Sequence, residues 1–197
     1  TLGDRDSYTG LSLSPDGSRL AATRGFPNSH LSVFDQNSVP SRVSTFTRAE
    51  RNPVWSPDGR TLYYVALSNN QQEVMRRHLG GAGVESVYQH PGVNTFHLHD
   101  ISPDGQRLLA VLTDSGAMSV VELDLSVSAA ARKPRLLLPD PDAVGINWVR
   151  IAPDGKSLFL HSASALYVTQ YPVTGSLRRL DSAAYRRVGA RSPADKS

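Results

Sequence analysis

One phrase occurs four times and constrains the fold more than any other feature of the chain. It reads Ser14, Pro15, Asp16, Gly17; Ser56, Pro57, Asp58, Gly59; Ser102, Pro103, Asp104, Gly105; and Ala152, Pro153, Asp154, Gly155. An apolar residue precedes each copy, and a short apolar run follows: Leu20 to Ala22, Leu62 to Val65, Leu108 to Leu112 and Leu158 to Leu160. The aspartates stand 42, 46 and 50 residues apart, a period that fits propeller blades rather than helical arrays.

The phrase has the chemistry of a tight turn. Proline fixes φ where a type I turn needs it, aspartate accepts from nearby backbone N–H groups, and glycine takes the left-handed conformation that closes the turn. All four aspartates therefore read as turn residues. General acid–base work needs carboxylates converging on one site, whereas a repeat spreads them around the molecule. The apolar runs after each turn are short and continuous, as expected of strands buried on both faces between neighbouring sheets.

The expected fold is all-β: a β-propeller or partial propeller of four four-stranded antiparallel blades. The blades fall at about 9–50, 51–93, 94–143 and 144–180, with a polar lead-in over residues 1–8 and a polar, basic tail over 181–197. In blade one the fourth strand is expected at about Arg42 to Thr47. In blade three the long link from Ser126 to Pro134, rich in alanine and serine, is expected to bulge from the rim.

Composition narrows the function classes. With 39% apolar and 20% charged residues among 197, the chain can bury a sizeable core. The net charge is only +3, with no basic run interleaved with aromatics, which disfavours nucleic acid. There is no cysteine, so disulfides, thiolate metal sites and cysteine nucleophiles are excluded. No apolar stretch approaches the roughly 20 residues of a spanning helix, and no signal peptide is visible. The chain starts at Thr1, which reads as a processed product or a piece of something longer.

Candidate sites come from aligning the repeats. Leu13, Trp55, Ile101 and Ile151 fall at one position, and Asp100 and Arg150 at the position before it in adjacent blades. Those two charges are candidates for an inter-blade or channel pair that orders the blades. His97 and His99 are two apart on one strand and share a face by strand alternation, with Asp100 on the other, so they are the candidate metal ligands if a third arrives. No catalytic residue and no cofactor is assigned: no Gly-x-Ser-x-Gly elbow and no glycine loop opening a helix occurs. Trp55, Tyr63 and Trp148 read as blade-core residues.

An apolar residue, Ser-Pro-Asp-Gly, a basic residue and an apolar run together resemble the WD40-like (PD40) repeat of TolB-type β-propellers, over about Thr9 to Leu180. Leu166, Tyr167 and Val168 followed by Tyr171 and Pro172 look like the third strand of those repeats. The likeness is greatest to the propeller regions of bacterial serine/threonine kinases and prolyl-oligopeptidase-like proteins. It implies a disc of blades, usually six or more, that serves as an interaction platform, often in the periplasm. Four blades is the low end for closing a ring, and an open arc would leave apolar faces and strand edges bare. The expected function is a non-enzymatic protein–protein interaction module, an accessory or structural subunit with another protein or a second copy covering its ends, in a membrane-associated complex. The alternatives are a regulatory or substrate-gating domain of a kinase or peptidase, and a small-ligand or metal binder at the channel mouth.

Overall fold

The computed structural model describes residues 7–25, 29–37, 40–43, 49–68, 71–81, 83–90, 95–138, 145–163 and 165–180. The first six residues of the lead-in, the outer part of the expected fourth strand of blade one and the basic tail lie outside them.

Among the described residues sixteen strands form four antiparallel sheets, each in simple sequential order. Blade one holds β1 (Tyr8–Leu13), β2 (Leu20–Arg24), β3 (His30–Phe34) and β4 (Pro40–Arg42); blade two holds β5 (Ala49–Trp55), β6 (Thr61–Ser68), β7 (Gln71–His78) and β8 (Val84–His90). Blade three holds β9 (Thr95–Ile101), β10 (Arg107–Asp114), β11 (Ala117–Asp124) and β12 (Arg135–Leu138). Blade four holds β13 (Ile146–Ile151), β14 (Ser157–Ser162), β15 (Leu166–Gln170) and β16 (Arg178–Leu180). The fourth strand of blade one begins at Pro40, earlier than expected, which places the proline on an edge strand where its missing N–H is tolerated.

The repeated turns work as their residues dictate. In the first copy the Gly17 amide donates to the Ser14 carbonyl at 2.9 Å, and Gly17 has φ of 71°. The Ser14 hydroxyl donates to Asp16 at 2.6 Å and accepts from the Arg19 amide at 2.9 Å, so one side chain ties both ends of the turn. Copies two and three repeat these bonds through Ser56–Asp58 and Ser102–Asp104. Ala152 in the fourth has no hydroxyl to do so; the Gly155 amide still donates to the Ala152 carbonyl at 2.8 Å, and the Asp154 carboxylate still accepts from the Lys156 amide at 2.9 Å.

The turns also stack from blade to blade. Gly155 sits against Pro103: a Cβ there would lie 3.3 Å from the proline Cγ, and φ of 69° adds strain for any other residue. Arg19, just after the first turn, donates to the Gly59 carbonyl at 2.6 Å, and its guanidinium lies 4.6 Å above the Trp55 ring. Trp55 in turn donates its indole N–H to the Ser12 carbonyl at 2.9 Å. Blades one and two are thus joined by polar contacts wrapped round an apolar one.

Three apolar clusters hold the four blades, one at each junction. Ala21, Leu31 and Val33 meet Trp55, Leu62 and Tyr64; Tyr63, Val65 and Val74 meet Ile101, Leu108 and Leu123; Leu109, Val111 and Val120 meet Ile151, Leu158 and Leu160. Each buried leucine contributes about 1.5–3 kcal/mol by leaving water. The pattern is directional: one face of a blade meets the blade before it, and the opposite face meets the blade after. Among the described residues no such cluster joins blade four to blade one.

The 126–134 link is exposed over residues 126–131. A short 3-10 turn, Ala129–Ala131, carries it, and Arg132 donates to the carbonyls of Asp124, Leu125, Val127 and, across the junction, Val87 of blade two. The link is pinned to the body because one guanidinium with five donors can satisfy several exposed carbonyls at once.

Candidate functional site

The innermost strands carry the charged and histidine side chains, and a register irregularity in each of them decides where those side chains point. The shift falls between Thr9 and Ser12, Arg51 and Val54, Leu98 and Asp100, and Ile146 and Trp148. In the first two blades a left-handed residue at the shift, Gly10 with φ of 56° and Asn52 with φ of 54°, absorbs the extra length. Glycine and asparagine are the residues that tolerate this conformation best.

In blade three the shift alters the expected faces. Leu98 pairs with Ala110 and Asp100 with Leu109, leaving His99 as the extra residue. His97 and Asp100 therefore stand opposite Val111 and Leu109, two apart on β10, and share a face. Simple alternation had placed them on opposite ones.

Asp100 does meet Arg150, with oxygen and guanidinium nitrogen 3.6 Å apart. Its stronger partners are backbone: the carboxylate accepts from the Ile151 amide at 2.8 Å and from the Ile101 amide at 3.0 Å. Burial raises the Asp100 pKa, opposed by these N–H bonds and by Arg150. One carboxylate so fastens the end of β9 to β13 and acts as an inter-blade tie.

The two histidines are held neutral. Burial lowers the pKa of His97, with the Arg51 charge adding to it; burial, then His97 and Arg150, lower that of His99 to about 4. His97 lies 3.2 Å from the Asn52 side-chain oxygen through Nδ1. An amide oxygen only accepts, so the proton sits on Nδ1. Among the described residues no third histidine, aspartate or glutamate gathers with them into a group able to hold a metal.

The turn aspartates make no common site. Each bonds within its own turn, and the serine hydroxyls lower the pKa of Asp58 and Asp104 and bring that of Asp16 to about 2. Trp55 and Tyr63 are buried as expected, but Trp148 is 37% exposed, on the face of blade four that no blade covers among the described residues. Arg150 stands 5.9 Å over its ring.

Two polar features escaped the reading of the sequence. The buried Glu122 carboxylate accepts from Arg107, Arg135 and the Tyr171 hydroxyl, each at 2.9 Å, across the junction of blades three and four. Tyr171 has its pKa raised by burial first and then by that carboxylate. The second is a pocket of about 490 Å³ where the beginnings of the first strands of blades one to three converge, lined by Thr9, Gly10, Thr23, Arg51, Asn52 and His97 among others. Alternating strand patterns give no sign of either, because each is assembled from different blades.

The end faces complete the geometry. At one repeat position Trp55, Ile101 and Ile151 are 3%, 8% and 9% exposed, whereas Leu13 is 62% exposed. At the position that meets it from the preceding blade, Ala21, Tyr63 and Leu109 are buried while Phe159 is 38% exposed. Blade one offers the uncovered half of a junction and blade four the other half.

No family model matches the chain. A 44-residue stretch, 22% of the chain, is 41% identical to the Tol-Pal system protein TolB of Thioalkalivibrio sulfidiphilus, of which it covers 10%. Among solved structures the chain is similar to TolB from Acinetobacter baumannii, with a TM-score of 0.69 and 17% identity over 91% of this chain and 44% of that one. It is also similar to a prolyl endopeptidase, with a TM-score of 0.57 and 16% identity over 88% of this chain and 28% of that one. The chain thus spans less than half the length of each of these proteins, and the likeness is one of fold.

Proposed function

We propose that this TolB-like β-propeller is a non-enzymatic interaction module that associates through the uncovered faces of blades one and four. The observation that carries the reading is Leu13, 62% exposed where its three repeat equivalents are buried. Contiguous apolar surface of this kind marks interaction sites.

The occupant is a second copy of the chain. Inside the molecule, Ile101 packs in the cluster that holds Tyr63, and Ile151 in the one that holds Leu109. Leu13 against Phe159 of a second copy would place an apolar side chain from the front of one blade on one from the back of another, as at the junctions inside the molecule. The contact is head-to-tail and uses different surfaces on the two copies. The likeness to TolB favours an extracytoplasmic, periplasmic setting, as an accessory subunit of a larger assembly.

Light scattering over a concentration series tests this. Association that grows with concentration and is lost in both Leu13→Glu and Phe159→Glu is expected. A monodisperse monomer at every concentration sinks the proposal, and so does association indifferent to both substitutions.

A further inference from the structure

The pocket at the start of the first strands contains an unusual cation, and its placement is independent of the end faces. Arg51 lies on β5, half-buried. Burial lowers its pKa, and among the described residues no acidic group acts on it. Its Nε is shut off from solvent and has no hydrogen-bond partner among the described residues. Glu50, its neighbour in sequence, pairs in register with Ala66 while Arg51 pairs with Val65, so the two side chains leave opposite faces of the strand. A charge withdrawn from water without a counter-charge is costly. The same pocket contains a second unsatisfied group: the Thr23 hydroxyl oxygen, fully buried and also without a partner.

We propose that this pocket is a binding site for a small carboxylate, with the Arg51 guanidinium as its anchor and Thr23 as a second donor. The side of a guanidinium formed by Nε and one Nη presents two parallel N–H groups, which match the two oxygens of a carboxylate; because Nε and the Thr23 hydroxyl are closed to water in the free protein, the bound form requires the Arg51 side chain to turn this edge toward the pocket. The Asn52 side-chain oxygen is engaged by His97, which leaves the Asn52 amide N–H groups to donate from the same wall. Gly10 keeps the wall open: a Cβ there would lie 3.0 Å from the Thr23 hydroxyl and fill the space above it. About 490 Å³ is within the range of small-ligand pockets. The carboxylate of Asp100, on the same strand as His97, is held by the Ile101 and Ile151 amides.

Calorimetry and thermal unfolding of the whole chain with acetate, succinate, phosphate and acetamide, at ionic strength matched with chloride, test the site. Acetate and succinate should bind and raise Tm, succinate by about 5 °C at saturation, whereas acetamide, the same shape without the charge, should do neither. Arg51→Met should weaken succinate binding by about 10- to 100-fold, the loss of a charge-assisted pair, and raise the Tm of the unliganded protein or leave it unchanged. Should Arg51→Met fail to fold, Arg51→Lys retains the charge without the planar fork and should lose most of the succinate affinity. Thr23→Val should weaken binding by a smaller factor. No heat and no Tm shift with either carboxylate overturns the proposal, as does binding that survives loss of the guanidinium or is equalled by acetamide. Tighter binding of phosphate than of succinate overturns the carboxylate assignment.

Discussion

The front of blade one and the fronts of blades two to four are built from the same repeat and meet opposite fates. Leu13, Trp55, Ile101 and Ile151 precede the same turn, and Leu20, Leu62, Leu108 and Leu158 follow it in the same register. Three of these fronts are packed against a preceding blade, and among the described residues nothing packs so on the first. Local sequence therefore builds the sheet and its apolar row, whereas the free energy gained from that row depends on whether another sheet lies on it. The turns show the same division in a milder form, because three have a serine that ties both ends and the last has alanine.

The largest expected effect breaks the comparison directly. Ile101→Ala should cost about 2–5 kcal/mol, since it removes buried methylenes from a closed cluster, whereas Leu13→Ala in the dilute chain should stay within about 0.5 kcal/mol. Urea unfolding at low protein concentration measures both. Equal costs would mean that the first face is covered after all.

The next effect concerns the interior junction alone and appears with pH. The folded pKa of His99, about 4, lies below its ordinary value near 6.5. The unfolded chain therefore takes up a proton that the folded one refuses. Stability is unaffected above pH 6.5, falls as the pH drops toward 4 and levels off below it, by on the order of 3 kcal/mol for this group. His99→Gln should flatten that part of the profile in denaturant titrations at stepped pH. A wild-type profile already flat from pH 7 to 4 would show that His99 is not held neutral by its surroundings.

The smallest effect sharpens the contrast between turns. Ala152→Ser places a hydroxyl where the other three copies have one, beside Asp154, and should stabilise by about 0.5–1.5 kcal/mol through the restored bonds. Blade four is the test bed because its outer face is bare, so the gain cannot come from a further neighbour. A null or destabilising result would mean that the serine in the other turns serves packing rather than the turn itself.

Much of this architecture is legible in the residues. Proline, aspartate and glycine at fixed offsets mark each hairpin, and the spacing of the marks gives four blades. The alignment of repeats even brings Asp100 beside Arg150, because equivalent positions in adjacent blades are neighbours in space. Other assignments needed the fold. Alternation put His97 and Asp100 on opposite faces, and an extra residue at His99 put them on one. Trp148 resembles a core aromatic, yet among the described residues no blade packs on its face of blade four. Nothing in the local pattern singles out Arg51, whose lack of a counter-charge among the described residues appears only when three first strands close round it. Glu122 and Tyr171, 49 residues apart, form a bond that no local pattern announces.

The sequence by itself determined the all-β class, the turn at every Pro-Asp-Gly, the order of strands and the number of blades. These depend on backbone conformations and hydrogen bonds that form within a few residues of one another, so residue identity is enough. Only the tertiary structure decided which apolar rows are covered, which charges are compensated and which polar atoms are left without a partner. Burial and electrostatic energy depend on what lies across a junction, and in a repeat identical phrases can lie against a neighbouring sheet or against solvent.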